Sequence, residues 1–90
     1  MKDSLFIKSR LNDLKSMIIP QAVEYTQPHY AKIKILSWVY NDGKVKSEKE
    51  VQIKLERKNE ELLGLENFDK QNIIYKCTIA EKQELENILK

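Results

Sequence analysis

The sequence predicts an α+β domain. It would hold one small antiparallel sheet of three or four strands with N- and C-terminal helices, in the order helix–hairpin–strand–helix. Three observations carry this reading. Apolar residues in the first eighteen positions recur at helical spacing. Residues 30–57 alternate apolar and polar side chains around an Asn-Asp-Gly turn. The chain then passes through a β-branched run and closes on a second helical pattern.

The first helix is expected from Ser4 to Ile18. Asp3 or Ser4 can cap it, because a short side-chain oxygen accepts bonds from the free N–H groups of the first turn. Ile7, Leu11, Leu14 and Ile18 fall on one face, widened by Leu5, Phe6 and Met17. Pro20 stops it, since the residue before proline is pushed out of the α region. Between Pro20 and Pro28, residues Ala22, Val23 and Tyr25 can form a short strand.

The hairpin is expected over Tyr30–Arg57. Ile33, Ile35 and Val39 alternate with Lys32, Lys34, Trp38 and Tyr40, which is period two. Val51, Ile53 and Leu55 alternate with Gln52, Lys54 and Glu56 on the return. A three-residue loop, Asn41–Gly43, pairs Val39 with Val45 and Ile33 with Val51. A two-residue loop sets Val39 against Lys46, and such a slip would turn side chains to the wrong face. The parity therefore favours the three-residue loop, with Gly43 in the left-handed region.

Residues 58–70 fit neither period; a short helix and an extra edge strand are both open. Asn72–Ile79 reads as a strand, with Ile73, Tyr75, Cys77 and Ile79 on one face. Thr78 to Glu81 matches the S/T-x-x-E capping box. Leu85, Ile88 and Leu89 then carry a helix to Lys90.

Composition excludes several classes of function. Ninety residues make a single domain, residues 1–90, that buries roughly 65% of its unfolded surface. One Cys cannot form an internal disulfide, and one Cys with one His cannot supply a structural zinc site. Two glycines build no phosphate-cradling loop. No metal and no cofactor is expected. No apolar run of membrane-spanning length exists, and no apolar segment follows Met-Lys-Asp as in a signal peptide. A free thiol suits a reducing compartment, so the expected location is cytoplasmic.

Candidate chemistry is sparse. Cys77 lies on an apolar face, where a cysteine acts as a small hydrophobe. His29 lies in a loop and is read as solvated. The pairs Glu48/Glu50, Glu60/Glu61 and Glu81/Glu84 sit in hydrophilic stretches and read as solvated faces. The basic face of the first helix could lie on a membrane, but the domain needs its apolar stripe for its own core. No enzyme is therefore expected.

The surface that stands out is the outer face of the hairpin. Trp38, Tyr40, Lys32 and Lys34 share it on one strand, and Lys44 and Lys46 join from the other. The net charge of +2 hides an uneven distribution: residues 1–46 hold 8 basic and 4 acidic side chains. The expected function is a small non-enzymatic protein-interaction module, a regulator, inhibitor or accessory subunit, binding another protein through this face. The alternative is single-stranded nucleic acid, with bases stacked on the rings and lysines along the phosphates. Fourteen of the 16 basic residues are Lys, which weighs against sequence-specific reading by Arg. An unpaired edge strand would also allow a homodimer.

Overall fold

Four helices carry the chain: α1 (Ser4–Ser16), α2 (Val23–Val39), α3 (Glu48–Gly64) and α4 (Ile73–Leu89). The strands are two residues each, β1 (Tyr40–Asn41) and β2 (Lys44–Val45), between α2 and α3. In this computed structural model, which covers residues 1–90, there is no sheet of three or four strands. The α+β expectation is overturned in favour of a helical fold with one short hairpin.

The first helix forms largely as its residues dictate. Asp3 caps it, its Oδ1 accepting a bond from the Phe6 amide at 2.9 Å. Ile7, Leu11 and Leu14 are buried. The helix ends at Ser16, so Ile18 lies beyond it and outside the stripe.

The expected long strands are helices for a definable reason. Ile33 and Ile35 alternate, but a longer series, Ala31, Ile35, Leu36 and Val39, repeats at helical steps, and all four are buried. Burying that whole stripe outweighs the β-propensity of individual Ile and Val residues. In α3, Val51 is buried and Leu55 packs on the core, whereas Ile53 is 42% exposed. Ser47 starts α3 with a reciprocal cap. Its Oγ accepts from the Glu50 amide at 3.2 Å, and its own amide donates to Glu50 Oε2 at 2.8 Å. The Ser47 amide holds the Glu50 carboxylate below its ordinary range, with further help from the Ser47 hydroxyl and Lys46.

The remaining segments shift in the same direction. Ala22, Val23 and Tyr25 open α2 instead of forming a strand. Pro28 sits inside α2, where it withholds the N–H that would bond the carbonyl four residues back. α3 runs on through Gly64 before turns lead to α4. The expected strand Asn72–Ile79 is the first half of α4. Asn72 caps it, accepting from the Ile74 amide at 2.8 Å. Thr78 is interior rather than a cap, and its hydroxyl donates to the Ile74 carbonyl at 2.8 Å.

The turn between α2 and α3 has a two-residue loop. Asp42 and Gly43 both take positive φ, 50° and 78°, as the primed hairpin turns require. Tyr40 pairs with Val45 and Asn41 with Lys44. The Lys46 amide donates to the Val39 carbonyl at 2.8 Å, the register rejected on parity grounds. That objection assumed long strands; here the ladder ends before parity matters.

α2 packs against both α1 and α4, α1 reaches α4 through Arg10 and Glu84, and α3 packs against α4. The result is a slab of 36 × 30 × 19 Å, two helices thick. Its core joins Ile7, Leu11 and Leu14 to Ile35, Leu36 and Val39, then to Val51, Leu85 and Ile88.

Two ionic contacts hold α4. Arg10 grips Glu84 with both arms, Nη2 to Oε1 at 2.6 Å and Nε to Oε2 at 3.2 Å. Glu84 is 4% exposed, so the solvated face expected for it is a buried carboxylate instead. The hydrogen bond to Glu84 raises the Arg10 guanidinium further above its ordinary value. On the other flank Lys58 bonds Glu81 at 2.8 Å and Glu61 at 3.3 Å. Burial pushes the Lys58 ammonium down, but the bonds and charges of Glu81 and Glu61 outweigh it and leave it raised.

Leu36 and Leu85 are fully enclosed, so either Leu→Ala change should cost about 2–5 kcal/mol in urea unfolding. Ile18→Ala should cost less than about 0.5 kcal/mol. Arg10→Ala strands a buried carboxylate and should cost about 2–3 kcal/mol, below the fully buried case because Arg10 is partly solvated.

Candidate functional site

The residues expected to form one basic, aromatic face are divided by the helix. Lys32 and Lys34 lie two positions apart on α2, and such residues do not share a face. Lys34 is exposed, whereas Lys32 is half-buried and turns toward α4, where it lines a groove with Tyr75 and Lys76. Trp38, Lys44 and Lys46 do come together, lining a small hollow with Asn41, Val45 and Glu50. Tyr40 lines a different hollow, with Lys8, Leu11 and Lys15 of α1.

Trp38 lies in the last turn of α2, half-buried and packed against the core. Two lysines cover it. Lys46 Nζ stands 5.3 Å from the ring and Lys54 Nζ 5.2 Å. Lys54 arrives from α3 and was placed by the alternation on a strand. A cation over an aromatic face is attracted by the ring quadrupole. The indole is therefore already engaged within the chain.

The groups considered for nucleophilic chemistry are held in quiet states. Cys77 is half-buried on α4 rather than in the core. Burial and the charge of Glu81 push its thiol up, which keeps it protonated at neutral pH. His29 lies in α2, not in a loop, and lines the hollow where α1 meets α2. No group of three or more His, Cys, Asp or Glu side chains could hold a metal ion. No helix is long and apolar enough to cross a membrane.

Two further surfaces stand out, the second of which takes in Lys32 of the expected face. The first is the α1–α2 corner, a hollow of about 410 Å³. Met17, Ile18, Ile19, Tyr30 and Ile33 supply its apolar lining, and Lys15 and His29 its polar rim. Ile18 is 101% exposed, Tyr30 58% and Met17 48%. The visible signal was the run Met17-Ile18-Ile19 ahead of Pro20, of which the helical reading assigned Met17 and Ile18 to the apolar stripe. The second is a groove of about 370 Å³ between α2 and α4. Pro28, Ile79 and Ala80 form its apolar part, and Lys32, Lys70 and Lys76 surround it. Reading residues 72–79 as a strand hid this grouping.

The lysine cover on Trp38 can be measured. Replacing Lys46 and Lys54 together by Ala should lower stability by about 1 kcal/mol and raise acrylamide quenching of the indole. The chain has one Trp, so the signal is unambiguous. Among known proteins, no family model, curated protein or solved structure matches this chain.

Proposed function

We propose that the protein acts by contact, as a non-enzymatic interaction module, and that the α1–α2 corner docks a partner protein. The observation that carries this is Ile18. It projects wholly into water beside Met17 and Tyr30, at the mouth of an apolar hollow. Leaving such side chains exposed has a solubility cost, and contiguous apolar surface rimmed by polar groups marks interaction sites. The rim sets the partner's character. Lys15 and His29 line the hollow and no carboxylate does. A fitting partner presents an apolar segment flanked by Asp or Glu, since complementary charge steers docking and fixes register.

This corner is a better contact surface than the hairpin face. At the hairpin the main aromatic anchor is packed on the core and covered by Lys46 and Lys54. At the corner the apolar groups have no such cover.

A photo-crosslinking amino acid replacing Ile18 should capture one defined protein in the native host, whereas the same residue replacing the exposed Gln52 should not. The purified partner should then bind the wild-type chain, and Ile18→Asp should weaken it about tenfold or more. Ile18 is outside the core, so that variant should unfold like wild type. Capture only of a second copy would replace the partner by self-association. Equal capture from both positions, or binding indifferent to Ile18→Asp, would overturn the proposal.

A further inference from the structure

We propose that the groove between α2 and α4 binds a nucleotide unit, phosphate and base together, either free or as part of a single strand. This site is separate from the α1–α2 corner and stands or falls independently of it.

Lys32, Lys70 and Lys76 converge on one groove, and no carboxylate lines it. None of the three takes part in an ion pair within the chain. The other cations that approach α4 are satisfied: Arg10 by Glu84, and Lys58 by Glu81. Three like charges around one hollow repel each other, and an anion relieves that repulsion. Two or three phosphate charges match the set.

The floor adds a second requirement. Pro28, Ile79 and Ala80 give it an apolar surface, and the Tyr75 ring stands beside them. Inorganic phosphate would leave this part unused. A planar base fills it, because every base has a face that stacks on an aromatic ring. Gln83 lines the same groove and offers an amide that both donates and accepts at a base edge. The volume, about 370 Å³, lies within the range of small-ligand clefts.

The groove also adjoins a second hollow. Lys32 and Gln83 line both, and the second is lined further by Arg10, Asn87 and Lys90. There Glu84 and Glu86 offset the cations, so the stronger anion site is the first hollow. The shared wall gives a strand a direction in which to continue.

The probes are ATP without metal, inorganic triphosphate and a short oligouridine, titrated into the full chain by NMR or calorimetry at low salt. ATP should bind saturably and more tightly than triphosphate. Lys76→Glu should weaken it about tenfold, and Tyr75→Leu should weaken ATP but leave triphosphate unchanged. Lys34→Glu, on another side of α2, should have little effect. Each variant should keep the wild-type helical signal and melt. If oligouridine binds and ATP does not, the strand is the source, and three phosphate contacts should give a log–log salt slope of about −2. Triphosphate binding as tightly as ATP would overturn the base contact. Equal losses from Lys34→Glu and Lys76→Glu would reduce the effect to diffuse attraction and overturn the site. So would the absence of binding by all three probes.

Discussion

The molecule depends on the inner face of α4. Leu85 and Ile88 are fully buried there, in one cluster with Leu36 of α2 and Val51 of α3. The same face carries two carboxylates, each committed to a different neighbour. Glu84 is held by Arg10 of α1, and Glu81 by Lys58 of α3. Apolar burial supplies the driving force but is non-directional, so it leaves the rotation of one helix about another loosely set. A buried carboxylate is costly unless its partner sits correctly. The two-armed grip of Arg10 therefore fixes the seating of α1 as well as adding to its stability.

The legibility of the sequence tracks how many local signals agree. In α1 the Asp3 cap, the stripe Ile7–Leu11–Leu14 and the stop before Pro20 all point the same way, and the helix forms with only its end displaced. Around Gly43 the turn was readable, because Asp-Gly favours positive φ. The flanking strands were not there to read. Two or three alternating Ile and Val residues imitate a strand over a short window, and only the longer series Ala31 to Val39 reveals the helix. Capping motifs were ambiguous for the same reason. Ser47-x-x-Glu50 is a working cap, whereas Thr78-x-x-Glu81 has the same pattern inside a helix that Asn72 starts. Four residues satisfy the motif, but burial of the following stripe decides whether it is used.

The candidate surfaces were less legible than the elements, because a face exists only once the period is right. Period two grouped Lys32, Lys34, Trp38 and Tyr40; the helix separates them. It then places Lys32 with Lys70 and Lys76, which come from the loop before α4 and from α4 itself. The slab geometry has a further effect. At 19 Å thick there is little interior, and only 13 of 90 residues are buried. Side chains such as Ile18, Leu63 and Ile74 are left outside because no layer covers them.

Pro28 gives the foot of α2 a character of its own. The first turn of that helix has no side-chain cap, carries exposed Val23 and Tyr25, and lacks the bond that Pro28 would otherwise donate. Nothing comparable weakens the half that holds Ile35, Leu36 and Val39. Residues 23–27 should therefore open at less free energy than global unfolding requires, and their amides should exchange with solvent earlier than those of the core half. This hinge-like foot adjoins the α1–α2 corner. His29 and Tyr30, which line that hollow, follow Pro28 directly, so fraying at the foot would be felt at one wall of the corner.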